Sequence, residues 1–108
     1  MQETRTVLVL GAHSREGIEW LRRSLPTEGA GPAWVVQRPG AELDAVLFAE
    51  DLRARAQRDG VRLSIGVAET LPGMSIETAA HLAALAYRRA FALGGDITLA
   101  HSNLLRAA

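Results

Sequence analysis

The chain has 108 residues and 48% of them are apolar, so it can bury one modest core and is expected to form a single domain over residues 1–108. Twelve acidic residues balance twelve arginines, and the sequence contains neither lysine nor cysteine. Zero net charge provides no field to attract nucleic acid or an anionic membrane, and the lack of cysteine excludes disulfides and thiolate metal sites. The sequence shows no secretory signal pattern and no apolar run of about 18 residues, so we expect a cytoplasmic location and no membrane partner.

The first forty residues predict two strands separated by one helix. Residues 6–10 (TVLVL) form a β-branched apolar run, which is typical of a strand buried on both faces. Residues 15–25 carry apolar side chains at helical spacing, with Ser14 as the candidate N-cap and Pro26 as the stop. A loop over residues 27–32 leads to a second strand at residues 33–36 (AWVV), which is followed by a Pro39-Gly40 turn.

Residues 41–58 admit two interpretations. They are strong helix formers that place Ala45, Phe48 and Leu52 on one face, and Gly60 would end such a helix. Residues 43–48 could instead form the return strand of a hairpin that turns at Pro39-Gly40. We favour a mostly helical segment, because a strand that ends at residue 48 leaves almost no loop before a helix that must already run by residue 50.

The second half predicts a strand, a long helix and a last short strand. Residues 61–68 (VRLSIGVA) alternate with the period of a strand. Ser75 is the candidate N-cap of a helix over residues 76–93, which Gly94 ends. This helix carries a stripe of small side chains that would let it lie close to a sheet: Ala79, Ala83, Ala86 and Ala90. With a strand at residues 97–100 and a frayed tail at residues 102–108, the order β-α-β-α-β-α-β indicates an α/β sandwich of two or three layers.

Two stretches of the second half resemble GGDEF (diguanylate cyclase) domains. Residues 63–68 (LSIGVA) are similar to a late strand of that family. Residues 83–94 (AALAYRRAFALG) are similar to the following helix, whose family pattern is A-D-x-A-L-Y-x-A-K-x-x-G-R. In the first half, residues 13–21 (HSREGIEWL) resemble the entry to the family's second helix, and residues 38–43 (RPGAEL) stand where the signature loop is expected. The resemblance implies a shortened, degenerate GGDEF-like sandwich that lacks the family's first helix.

The signature positions depart from the family pattern. The resemblance implies a metal held by an Asp at the end of the first strand and by an acid of the signature loop, as phosphoryl transfer between two GTP molecules requires. Here the first strand ends in Gly11-Ala12, and the loop reads Pro39-Gly40-Ala41-Glu42-Leu43. Gly40 and Glu42 remain as candidates for nucleotide binding, and no residue is a candidate for catalysis or for a metal.

The remaining family positions are also replaced. The helix Lys that meets the phosphates corresponds to Phe91, and the Arg after the glycine corresponds to Gly95. The Asn and Asp that read guanine, and the R-x-x-D motif of product inhibition, have no counterparts. These departures predict a protein that is not an enzyme and needs no cofactor: a catalytically inactive GGDEF-like regulatory module of bacterial signalling that binds a protein partner or itself. The missing helix would leave part of the sheet uncovered, which favours such contacts.

Two alternatives stay open. The first is a remnant that binds a nucleotide or cyclic di-GMP without turnover. The second is a small serine hydrolase that uses Ser14, since residues 10–40 also resemble the opening of the chemotaxis methylesterase family, with its G-A-S turn matched by Gly11-Ala12-His13-Ser14 and one residue inserted. The His and Asp that this chemistry needs have no recognisable motif.

Other polar and aromatic residues are given ordinary roles. His13, His81 and His101 lack the spacing of a zinc site and are expected at the surface. The arginines lie at helical spacing from acids and are expected to pair with them on solvated helix faces. Trp20 lies off the apolar stripe of its helix, so it is a candidate for a contact surface as well as for the core.

Overall fold

In the described part of the chain, the strands and helices of the sandwich alternate in the predicted order. The structure, a computed structural model, describes residues 4–25 and 33–103. The elements are β1 (Arg5–Ala12), α1 (Arg15–Ser24), β2 (Ala33–Pro39), α2 (Glu42–Arg58), β3 (Leu63–Glu69), α3 (Ile76–Ala92) and β4 (Ile97–Ala100). The predicted stop at Pro26, the loop over residues 27–32 and residues 104–108 of the predicted tail lie outside the described residues. The α/β class is confirmed.

The sheet has the order β2-β1-β3-β4, with β1 antiparallel to both of its neighbours and β4 parallel to β3. Strand β1 is central, and Val7, Leu8 and Leu10 are fully buried. This confirms the prediction of a strand buried on both faces, because side chains at odd and even positions point to opposite faces of a sheet. The register places Arg5 opposite Pro39 and Gly11 opposite Ala33.

Helices cover both faces of the sheet, so the sandwich has three layers. Helices α1 and α2 pack on the face that carries Leu8 and Leu10, and α3 packs on the face that carries Val7 and Val9. Trp20 of α1 is only 6% exposed, and its Nε1 donates a hydrogen bond of 2.7 Å to Asp59. The alternative that Trp20 marks a contact surface is therefore wrong, because the buried side of α1 is broader than its aliphatic stripe.

Helix α2 is continuous, so the alternative strand at residues 43–48 is wrong. Its first turn is held by the Asp44 carboxylate, which accepts a hydrogen bond of 3.2 Å from the N–H of Ala41. Ala45, Ala49, Leu52 and Ala56 are buried along one side of the helix. The chain leaves the helix through Gly60, whose φ of 75° is in the left-handed region that glycine adopts without strain.

Helix α3 lies very close to β3, as the stripe of alanines predicts. A Cβ atom at Gly66 would lie 2.2 Å from the backbone oxygen of Ala83 and 2.2 Å from the backbone nitrogen of Tyr87. Ser75 caps the helix by accepting a hydrogen bond of 3.1 Å from the N–H of Thr78. Because α3 covers the second face of β3, Ser64 and Ala68 are buried as well as the residues that alternate with them.

Among the described residues, part of the α3 face of the sheet is uncovered at β2. Helix α3 packs against β1, β3 and β4. Val35 of β2 pairs with Val9, and it is 49% exposed although Val9 is buried.

Over the described ranges, no helix is long and apolar enough to cross a membrane.

Candidate functional site

A cluster of four residues lies at the end of β1. We call it the His13 cluster: His13, Ser64, Phe91 and Gly95. The imidazole of His13 stacks on the ring of Phe91, with centroids 4.1 Å apart and planes inclined by 9°. Its Nε2 shares a hydrogen bond of 2.6 Å with the hydroxyl of Ser64, which is fully buried. A Cβ atom at Gly95 would lie 2.0 Å from the same nitrogen, so the ring fits only against a glycine.

Three segments deliver these side chains. His13 follows β1 directly, and its neighbour Ser14 begins α1 by accepting a hydrogen bond of 3.0 Å from the N–H of Gly17. Phe91 lies in the last turn of α3, and Gly95 lies in the connection from α3 to β4. Ser64 is the second residue of β3 and pairs with Gly11. The cluster therefore depends on the antiparallel pairing of β1 with β3, which no local pattern reveals.

Asp96 fixes the connection between α3 and β4. Among the described residues other than glycine, Asp96 is the one with a positive φ, which is 56°. Its carboxylate accepts hydrogen bonds of 3.1 Å from Arg53 and 2.8 Å from Gln57, and its backbone oxygen accepts one of 2.7 Å from Arg53. Arg53 also bonds Glu50 at 2.7 Å, as the sequence predicts for the arginines of helix faces. Its hydrogen bonds to Asp96 also join α2 to the connection that carries Gly95 of the His13 cluster.

The electrostatics of the cluster favour a neutral imidazole. Burial lowers the pKa of His13 below its usual value of 6.5, the positive charge of Arg62 lowers it further, and Asp96 acts in the opposite direction. Arg62 itself donates a hydrogen bond of 2.6 Å to the carbonyl of Gly94. Within residues 4–25 and 33–103, no three His, Asp or Glu side chains lie close enough together to hold a metal ion.

Three positions singled out by the resemblance do meet at the His13 cluster. The end of the first strand, Phe91 in place of the family's Lys and Gly95 in place of its Arg are neighbours in space. Phe91 presents an aromatic ring where the family pattern carries an ammonium group. His13 was expected to be an ordinary surface residue, and although one side of it is exposed, the stack and the Ser64 bond hold it in place.

Gly40 and Glu42 lie at the opposite end of β1. Gly40 has a φ of 104°, and its carbonyl accepts a hydrogen bond of 3.0 Å from the Thr6 hydroxyl. Because β2 runs antiparallel to β1, Pro39 lies beside Arg5 rather than beside Ala12. At about 3.4 Å per residue, the two ends of β1 are roughly 24 Å apart. Residues 39–43 therefore cannot share a metal with the end of β1, which corrects the expectation that the two form one site.

Glu42 is engaged within its own surroundings. Its backbone N–H, at the start of α2, donates a hydrogen bond of 2.8 Å to the carboxylate of Glu69. Its own carboxylate accepts a hydrogen bond of 2.8 Å from the hydroxyl of Ser102. The three residues border a cavity of about 180 Å³ whose remaining walls include Leu71 and Met74. A carboxylate of the protein thus already occupies the start of α2, where a helix dipole favours an anion.

Ser14 is not placed for hydrolysis. Its hydroxyl oxygen accepts the hydrogen bond that caps α1, and the histidine adjacent in sequence, His13, bonds Ser64 instead. A serine nucleophile needs a base within hydrogen-bonding reach of its hydroxyl. The resemblance to the methylesterase family finds no support in this geometry.

The comparison with solved structures finds a GGDEF domain. The matched chain is a microbial GGDEF domain, described together with a novel mode of its interaction with bis-(3,5)-cyclic di-GMP. The two chains superpose with a TM-score of 0.74 at 16% sequence identity, and the match covers 91% of this chain and 79% of the other. No protein-family model matches the sequence, and no curated protein matches it. The chain thus has a GGDEF-like fold, as the resemblance implies.

Proposed function

We propose that this chain is a catalytically inactive GGDEF-like module of cyclic di-GMP signalling that acts through protein contacts. The GGDEF-like fold supports the relation to this signalling system. Because folds host many functions, the loss of chemistry has to be argued from the site itself.

The observation that carries the proposal is the stack of His13 on Phe91 at the end of β1. Condensation of two nucleoside triphosphates requires metal ions and basic groups that neutralise the phosphates. Where the resemblance puts these groups, the chain has Gly11 and Ala12 at the end of β1 and the Phe91 ring on α3. The His13 imidazole, held by Ser64 and Phe91, is a single side chain where the resemblance calls for a carboxylate, and its lowered pKa disfavours a positive charge there.

The loop that the resemblance matches to the family signature keeps one of its two acids, with Ala41 in place of the other. Residues 39–43 keep Glu42 alone, which bonds Ser102 and lies beside the Glu69 carboxylate. Because residues 39–43 follow the end of β2 that lies beside Arg5, Glu42 cannot complete a metal site at the other end of β1.

Turnover with GTP tests the proposal directly. The purified protein is incubated with GTP and Mg²⁺ or Mn²⁺, and cyclic di-GMP and pyrophosphate are quantified beside an active diguanylate cyclase as the positive control. We expect neither product above the level without protein. Formation of cyclic di-GMP that is lost in the Phe91→Glu variant would overturn the proposal.

Calorimetry distinguishes an inert module from the alternative that binds a nucleotide without turnover. GTP and cyclic di-GMP are titrated separately into the protein, and we expect no heat of binding. If heat is observed, the variants Phe91→Glu and Glu42→Ala locate it, because the two side chains lie at opposite ends of β1. Binding that either variant abolishes would replace the proposed role by that of a nucleotide-binding remnant.

A further inference from the structure

Helix α2 exposes an apolar line on the side that faces away from the sheet. Leu43 and Leu47 lie one turn apart, and they are 67% and 61% exposed. Ala54 and Arg58 continue the same line at helical spacing and are also exposed. We call these four residues the outer face of α2. It lies opposite the buried side of the helix, so no other described element covers it.

The charges of α2 are divided between its two halves. Residues 42–51 carry only acids, namely Glu42, Asp44, Glu50 and Asp51. Residues 52–58 carry only bases, namely Arg53, Arg55 and Arg58. Interaction with the helix dipole favours this order of charges. The helix dipole does not explain why two leucines are exposed to solvent. Exposed apolar side chains that are bordered by charged ones are typical of an interface.

We propose that a second copy of this chain covers the outer face, with the two α2 helices packed antiparallel about a two-fold axis. In that arrangement Leu47 packs against the partner's Ala54, so that a large side chain meets a small one on each side of the axis. Leu43 lies against the methylene groups of the partner's Arg58, since a long arginine can cover apolar surface with its stem. The proposal deepens the function above, because it names the protein partner of the inactive module.

The charge pattern selects this arrangement. Antiparallel packing sets the acidic half of each helix beside the basic half of the other, with Asp44 facing the partner's Arg55 and Arg58. Parallel packing would set like charges side by side, which is unfavourable. At the axis, Glu50 and Asp51 of each copy face the same two residues of the partner. Each of these acids is paired within its own helix, Glu50 with Arg53 at 2.7 Å and Asp51 with Arg55 at 3.3 Å, so the centre of the interface carries little net charge. A protein with zero net charge also has no overall repulsion to oppose the contact.

The expected dimer is weak and depends on concentration, because one helix face is smaller than a standard protein interface. Sedimentation equilibrium from micromolar to millimolar protein measures it. We expect a monomer–dimer equilibrium that Leu47→Glu weakens at least about tenfold, since the charge would be buried without a partner. Leu85→Glu is the matched control: Leu85 is an exposed leucine of α3, on the other side of the sheet. Circular dichroism and thermal melting show that both variants fold.

A charge exchange tests the geometry of the pair. Asp44→Arg sets three arginines against one another, and Arg58→Asp sets acid against acid, so each variant alone should dimerise several-fold more weakly than the unaltered chain. Because Asp44→Arg also removes the acceptor for the Ala41 N–H, Asp44→Asn, which keeps an acceptor without the charge, shows by circular dichroism and sedimentation how much the lost charge alone weakens the dimer. An equimolar mixture of the two variants restores both attractive contacts and should form a mixed dimer. These results support antiparallel α2 packing.

Three outcomes would overturn the inference: a monomer at every concentration, equal weakening by Leu47→Glu and Leu85→Glu, or a mixture of the charge variants that stays as weak as each alone. The measured mass is independent of turnover. A monomer that makes no cyclic di-GMP would refute the dimer only, whereas an active protein would refute the proposed function whatever its mass.

Discussion

Replacing Gly66 by alanine tests how tightly α3 lies on the sheet. The added Cβ would meet the Ala83 oxygen and the Tyr87 nitrogen at 2.2 Å, and both are backbone atoms of a helix. Ordinary contact begins at 3.4 Å, so α3 would have to move away by about 1.2 Å. Overpacking of a core costs about 1–3 kcal/mol when side chains can adjust. Here they cannot, and we expect a loss of about 3 kcal/mol or more.

The assay is urea and thermal unfolding of the folded protein. For a domain of this size, a loss of about 3 kcal/mol lowers Tm by roughly 12–20 °C. Gly60→Ala is the matched control: it meets nothing within 4 Å, so it suffers only from its left-handed backbone, at about 1 kcal/mol. If Gly66→Ala unfolds at the same urea concentration as Gly60→Ala, the close approach of α3 does not constrain this fold.

Two further variants test the capping of α3 and the titration of His13. Ser75→Ala removes the acceptor for the Thr78 N–H and should lower the free energy of unfolding by about 1 kcal/mol. Ser75→Asp keeps an acceptor and should not lower it. Equal melting temperatures of the two variants would contradict the role of the cap. The folded state holds the pKa of His13 below its unfolded value of 6.5, so the folded chain binds fewer protons. Well above pH 6.5 this titration does not affect the free energy of unfolding. As the pH decreases from 6.5 toward the lowered pKa of the folded state, the unfolded chain binds more protons and the free energy of unfolding falls. His13→Phe keeps a ring against Phe91 and removes the titration, so the urea midpoint should change less between pH about 7.5 and about 5.5 in this variant than in the unaltered chain. Equal changes in the two proteins would show that His13 does not titrate differently on folding.

The sequence predicts well those elements whose pattern is local. The apolar run at β1, the caps Ser14 and Ser75 and the alanines of α3 each determine their own element, and the structure confirms them. The interpretation of residues 41–58 as a helix is also confirmed, since their helix propensity needs no tertiary contact to express itself.

The pairing of strands could not be predicted in this way. The resemblance matches Gly40 and Glu42 to a signature loop that shares a metal with the end of β1, but the antiparallel register places the end of β2 beside the start of β1. The offset of Trp20 from the aliphatic stripe does not decide its position, because an aromatic side chain can reach the core from the flank of a helix. His13 and Phe91 are 78 positions apart in the sequence, and only the shared sheet brings them into contact. Long-range contacts of this kind leave no trace in local spacing.

The central position of β1 has a consequence for hydrogen exchange. Its backbone is paired on both edges and covered on both faces, so its amide hydrogens can reach water only when the whole sheet opens. Strand β4 has four residues and pairs only with β3 among the described strands, so it can detach while the rest stays folded. In deuterated water, the amides of β1 should report the global free energy of unfolding and those of β4 a smaller value. Hydrogen exchange should thus distinguish the centre of the sheet, which opens only on global unfolding, from an edge strand that opens locally.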